Sequence, residues 1–300
     1  MDDKNSRATC TAGASIPLLS VSGKGLPEAW EKAVLAVADR GVEVRTEYDA
    51  PEDPPSLDAT VTIEVQEPLS EPRLHKNFPG GPTELEIYRQ EVIEGIHDHW
   101  IDPAEGKWTY TYHERLFAYR PVLDLENPEA GPQLGAVDQI DYMVDKLCDA
   151  PHSRRAQAIT WIPQADPQTD DPPCLQRLWA RLLPDEGGFC LNFNAHWRSR
   201  DLLKAWFMNA YALTDLQRLV AERIGDRLDR PVRCGRYVDV SDSLHIYGSY
   251  RDEDLREEIE KMKNSSWRDR AWDTEQFEPF FQEVRRNLEK DPDFYAKGSG

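Results

Sequence analysis

Strand-like and helix-like runs follow one another along this chain in no regular alternation, which excludes a doubly wound parallel sheet and points to an α+β protein. Pro27–Asp39 spaces Trp30, Val34, Leu35 and Val37 as a helix does, and Gly41 stops it. The proline-rich, acidic YDAPEDPPS (48–56) reads as a loop, and DATVTIEV (58–65) alternates with the period of a strand. A second helix is expected over Thr83–His99, capped by Thr83, and a third from Val137 to Pro151. AQAITWIP (156–163) reads as a buried strand; CLQRLWARLL (174–183) and FCLNFNAHWRS (189–199) form a hairpin across PDEGG. A long apolar helix occupies 202–225, then RYVDVSDSLHIYGSY (236–250) predicts a strand, a polar loop and a second short strand, before two helices charged on one face.

A length of 300 residues, 39% of them apolar, suits one large domain. The expected division is a loose N-terminus over 1–14, a single catalytic domain over 15–296 and a tail over 297–300. With 55 acidic against 36 basic side chains and a formal charge of -19, a protein built to grip nucleic acid by counterion release is disfavoured. No apolar run reaches the ~18 residues of a membrane span, and the N-terminal residues lack a basic segment followed by an apolar one. A soluble cytoplasmic protein is the expectation. The five cysteines form no CxxC pair, so they read as reduced thiols, and no metal is expected.

Cys174 follows Asp171-Pro172-Pro173, two prolines that present the next side chain rigidly at the start of a strand. It is either a small buried residue or a positioned nucleophile. Arg154 and Arg155 sit in the joint PHSRR, and Arg198 with Ser199 closes the strand whose hairpin partner begins at Cys174. Such guanidinium groups can hold a phosphate and lower a thiol's pKa. Arg73, His75 and Lys76 form another local basic cluster, able to receive an anion, and Arg73 is counted with the phosphate candidates.

These residues carry a resemblance. VDQI, SRR followed by Trp161 and Pro163, PPC, RSxD, Asn209 eight residues after Asp201, and a D-x-x-H-x-Y close stand in the order seen in thymidylate synthase and its relatives, the deoxycytidylate and cytidylate hydroxymethylases. The matched run, Val137–Tyr247 with YTYHERL (110–116) upstream resembling the family's tyrosine-bearing strand, covers somewhat more than half the chain.

The resemblance implies a three-layer α+β fold with a bent mixed sheet at the interface of a homodimer. It implies folate-dependent one-carbon transfer to C5 of a pyrimidine nucleoside 5′-monophosphate, with 5,10-methylenetetrahydrofolate as donor and Cys174 as nucleophile at C6. Arg198 and Ser199 would hold the phosphate, joined by Arg154 and Arg155 from the other subunit. His245 and Tyr247 would bind the sugar, Asp201 would face folate and base, and Asn209 would read the base edge. Glu91 would be the general base, with Glu86 and Glu94 as rivals, and Tyr112 would order its water. Asparagine at 209 suits uracil and leaves cytosine open. The family's histidine after the nucleophile is Leu175 here, the glycine-rich folate-side turn is missing, and so is a short apolar C-terminus. Those departures favour hydroxymethylation over methylation, with a divergent thymidylate synthase as the alternative and a catalytically silent nucleotide- or RNA-binding protein as the alternative of another class.

Overall fold

A computed structural model of the chain describes residues 15–46, 48–120, 135–251 and 253–296. The expected loose ends, 1–14 and 297–300, lie outside them. In chain order the elements are β1 (Leu18–Gly23), α1 (Leu26–Arg40), β2 (Val42–Val44), β3 (Ser56–Val65), β4 (Leu74–His75), α2 (Gly81–Glu94), α3 (Tyr112–Phe117), α4 (Gln139–Asp149), β5 (Gln157–Ile159), β6 (Leu175–Asp185), β7 (Gly188–Trp197), β8 (Arg200–Asp201), α5 (Ala205–Leu228), β9 (Val232–Ile246), α6 (Glu253–Asn264), β10 (Ala271–Trp272) and α7 (Glu278–Lys290).

One mixed sheet runs β1-β3-β9-β7-β6-β5, with β2 added to β3 and β8 to β9. β1 with β3 and β7 with β9 are parallel, while β3–β9, β6–β7 and β5–β6 are antiparallel. Helices α1, α4 and α5 pack against this sheet, α2 lies on α5, and α7 lies on α2, which makes three layers. Trp30, Val34 and Val37 of α1 and Trp206, Phe207 and Ile224 of α5 are buried between them. Each such side chain contributes about 1.5–3 kcal/mol of apolar burial. Among the described residues no helix is long and apolar enough to cross a membrane.

The β6–β7 hairpin is as expected: Asp185 faces Gly188, and Gly187 supplies the positive φ of 74° that the turn needs. Four expectations change. β5 is a three-residue edge strand in which Ala158 is buried on one face, and Gln157 and Ile159, on the other, are exposed. α2 starts at Gly81, so Thr83 lies inside its first turn, and the left-handed Gly95 stops it well before His99. TYHERL is helical, since Thr111 accepts from the Glu114 N–H and caps α3. DVSDSLHI belongs to one fifteen-residue strand, β9, instead of a strand, loop and strand.

That last difference has a structural consequence. Val61 pairs with Ser241 but Ala59 pairs with Leu244, so β9 carries one extra residue, a bulge. Before it Tyr237, Asp239 and Ser241 point into the core; after it Leu244 and Ile246 do. The one-residue slip turns Ser243 and His245 to the opposite face.

The basic cluster at 73–76 is dispersed rather than gathered around an anion. Arg73 is buried against Asp215 at 3.2 Å and the Thr214 hydroxyl at 3.1 Å. His75 meets Glu31 at 2.8 Å, and Lys76 donates to the Asp269 carbonyl at 2.7 Å. Groups of the fold already take up these charges, although the Arg73 Nε–H has no partner.

Candidate active site

Cys174 and Arg198 face each other where β6 begins and β7 ends. The Arg198 side chain donates from Nη2 to the Pro172 carbonyl at 2.6 Å and from Nε to the Pro173 carbonyl at 3.1 Å, while its backbone N–H donates to the Cys174 carbonyl at 2.9 Å. The two proline carbonyls are thus satisfied from across the hairpin, with Gln176 Nε2 also donating to that of Pro173 at 2.8 Å, and one arginine braces the approach to the thiol. Arg198 has no carboxylate partner among the described residues, so its charge is not neutralised.

Cys174, Arg198, Ser199, Asp201, Asn209, Tyr112, His245 and Tyr247 all line one pocket of about 450 Å³. Burial pushes the Cys174 thiol above its ordinary value, and Arg198 and Arg200 pull it back down. Burial likewise raises the Asp201 carboxyl, whose Oδ1 accepts from Leu203 N–H at 2.8 Å, and lowers His245. Tyr247 is pushed up to about 12 by burial. The His245 Nε2 is buried with no partner. Asn209 spends one N–H on the Tyr88 hydroxyl at 2.6 Å, which leaves a second N–H and its carbonyl oxygen.

The expected site residues do not all meet here. Arg154 and Arg155 are exposed and lie outside the pocket of their own chain. Arg73 lines a different cavity, between α2, α5 and α7. Glu91 lines an adjoining cavity and meets His97 at 3.0 Å. Of its rivals, Glu86 is buried against Arg89, Arg285 and Gln90, and Glu94 lines the Arg73 cavity, so neither faces the thiol.

The adjoining cavity, about 590 Å³, shares Tyr112 and Asp171 with the Cys174 pocket and adds Trp108, Tyr110 and Lys107. Tyr112 is held by its hydroxyl, which accepts from Leu175 N–H at 3.2 Å, and by Arg115 of the same helix, which binds Asp166 at 2.8 Å just upstream of Cys174. Aromatic faces beside a lysine suit a flat heterocycle with an anionic tail.

Several lining residues were missed. In the sequence Asp171 is marked only as the lead-in to two prolines. Thr46 and Tyr48 come from the β2–β3 loop, which Asp49 folds by accepting from Thr46 N–H at 2.7 Å and Ser56 Oγ at 2.6 Å. Those bonds hold the Asp49 carboxyl well below the usual range. Arg200, the unspecified residue of RSxD, is buried beneath the pocket over the Trp197 ring at 4.2 Å and paired with Asp239; its Nε and Nη1 have no partner. Nothing in local sequence marks a buried arginine in an acidic chain; its partners come from β9, thirty-nine residues away for Asp239.

The family model for thymidylate synthase matches residues 81–293. A Methanosarcina mazei protein described as "Putative thymidylate synthase" is 29% identical over 244 residues, 81% of this chain and 95% of that protein. A Methanopyrus kandleri protein of the same description is 28% identical over 218 residues, 71% of this chain and 88% of its own. The structure of thermostable thymidylate synthase A from Bacillus subtilis matches with a TM-score of 0.56 at 17% identity, covering 79% of this chain and 84% of that one. That likeness is one of fold.

Proposed function

Because the chain belongs to the thymidylate synthase family, we propose that it carries a one-carbon unit to C5 of a pyrimidine nucleoside 5′-monophosphate through a covalent adduct at Cys174, giving the hydroxymethyl nucleotide. Family membership makes it a folate-dependent one-carbon transferase. When bound, 5,10-methylenetetrahydrofolate supplies the unit as an electrophilic methylene. Trp108 and Tyr110 would hold its ring and Lys107 its carboxylate tail.

The Cys174 sulfur adds to C6; the C5–C6 double bond opens and its electrons pass to C5 and the exocyclic atom at C4. Arg198 and Ser199 take the phosphate, Asn209 the base edge, His245 and Tyr247 the sugar, and Asp201 the base and folate side. Glu91, through water ordered by Tyr112, removes the C5 proton once C5 carries the one-carbon unit. Water adds to the exocyclic carbon, and the Cys174 thiolate leaves C6 as the C5–C6 double bond re-forms. Arg154 and Arg155 of the partner subunit complete the phosphate end in a homodimer formed on the sheet face that carries no helix. Residues 15–296 act as one catalytic domain.

The observation that carries this reading is Arg198: a cation without a carboxylate partner among the described residues, bonded to the backbone that presents the thiol of this pocket. Hydroxymethylation needs one water at the new exocyclic carbon, whereas methylation needs water kept out. Leu175 in place of the family histidine, and Gln168, Thr169 and Asp170 along the cavity wall, support the former. Incubating the protein with methylenetetrahydrofolate and UMP, CMP, dUMP or dCMP, followed by mass spectrometry, tests it. A hydroxymethyl product is expected; a methyl product with dihydrofolate release would make the chain a divergent thymidylate synthase.

A further inference from the structure

Asp58 lines the Cys174 pocket but has no part in the site described above. It stands on β3 in register with His245 of β9, and His245 is in turn in register with Asp201 of β8. Two carboxylates therefore flank the histidine in one row, on the face that the β9 bulge exposes to the pocket. The Asp58 carboxylate accepts from the Ser243 hydroxyl, at 3.0 Å to each oxygen. No arginine or lysine lies within ion-pair distance of it among the described residues. Arg45 of the adjacent loop is taken up by the carbonyls of Ala50 and Asp53, and Arg251, beyond β9, by the Pro55 carbonyl and the Glu43 carboxylate.

An ionised carboxylate accepts at about four lone-pair sites and repels other anions. One hydroxyl donor leaves Asp58 mostly unsatisfied toward the pocket. The ligand group that completes it is a neutral donor, not a phosphate, and beside His245 and Tyr247 that donor is a sugar hydroxyl. A deoxyribose has a single hydroxyl besides the phosphorylated one, and His245 with Tyr247 already claim it. A ribose offers a second.

Resting on the nucleotide reading above, we infer that Asp58 is a specificity-determining residue that accepts the second ribose hydroxyl, so that the preferred substrate is a ribonucleotide. A pocket built around a hydroxyl leaves its own acceptor stranded when the hydroxyl is missing.

The test is kcat/KM, followed by tritium release from C5-tritiated UMP, CMP, dUMP and dCMP, for the wild-type protein and for Asp58→Asn and Ser243→Ala. The wild type should favour the ribonucleotide of its preferred base by about tenfold or more. Asp58→Asn should bring that ratio to within about threefold of unity, mainly through loss on the ribonucleotide, and Ser243→Ala, which keeps the carboxylate, should retain the preference. A wild-type preference for deoxyribonucleotides overturns the assignment even if Asp58→Asn does not fold. So does an Asp58→Asn variant that loses activity equally on both sugars, as a merely structural role would require, or one that shifts the choice between uracil and cytosine instead. Turnover confined to deoxyribonucleotides leaves the proposed function standing; no tritium release from any of the four removes both.

Discussion

The cavity between α2, α5 and α7 is larger than the Cys174 pocket, about 650 Å³ against about 450 Å³, and holds four arginines where the pocket holds two. Every one of the four meets a carboxylate: Arg73 and Arg218 meet Asp215, Arg89 and Arg285 meet Glu86. In the smaller pocket Arg198 binds only backbone carbonyls, and Arg200, although paired, keeps two N–H groups unmatched, where Arg73 in the larger cavity keeps only its Nε–H. Density of charge is thus a poor guide to a ligand site. What distinguishes the pocket is charge that the fold has positioned and left uncompensated, beside a thiol.

That contrast can be broken most decisively at Cys174. Cys174→Ser should lower kcat by about a thousandfold or more while nucleotide affinity, measured by calorimetry, stays within about threefold. An unchanged kcat would mean that Cys174 is not the nucleophile, and no turnover by the wild type beside intact nucleotide affinity would favour a binding protein. Next comes a reciprocal pair. Arg73→Met leaves buried Asp215 with only the longer contacts to Arg89 and Arg218, each at 3.6 Å, and should cost about 1–3 kcal/mol in urea unfolding with little change in kcat/KM of the folded protein. Arg198→Met should cost only about 1–2 kcal/mol of stability yet lower kcat/KM by about a hundredfold. If both arginines behaved alike, the two cavities would not differ as described.

A subtler effect is the pH dependence of Cys174 alkylation by iodoacetamide. Only the thiolate reacts, and Arg198 favours it, so Arg198→Gln should move the rise in rate to higher pH. A shift to lower pH would mean that Arg198 does not act on the thiol. The smallest change is expected for Arg218→Ala, a half-exposed partner at the rim of the larger cavity, whose stability and kcat/KM should both stay within experimental reach of the wild type.

Much of the pocket was legible because its parts are local. Pro172-Pro173-Cys174 and Arg198-Ser199 lie at the two ends of one hairpin, and pairing across a two-residue turn brings them near each other. The one-residue register shift between Leu175 and Arg177 that sets Cys174 against Arg198 is not readable from the sequence. His245 and Tyr247 were legible as a motif, but not the bulge that aims His245, since one extra residue in a strand leaves no compositional trace. Arg73 was misplaced for the opposite reason. Its neighbours in sequence are basic, but its neighbours in space, Thr214 and Asp215, come from α5.

The sequence by itself determined the fold class and the family: apolar periodicity set α1, α5 and the hairpin, and the ordered motifs pointed to the thymidylate synthase family. Tertiary structure alone decided which polar groups are spent on the fold and which remain for a ligand. Asp58, Asp171 and Arg200 entered the site, and Arg73 left it, through pairings between distant strands and helices. The physical reason is that a charged side chain's role depends on whether a partner lies within hydrogen-bond reach, and that distance is a property of the packed chain, not of residue order.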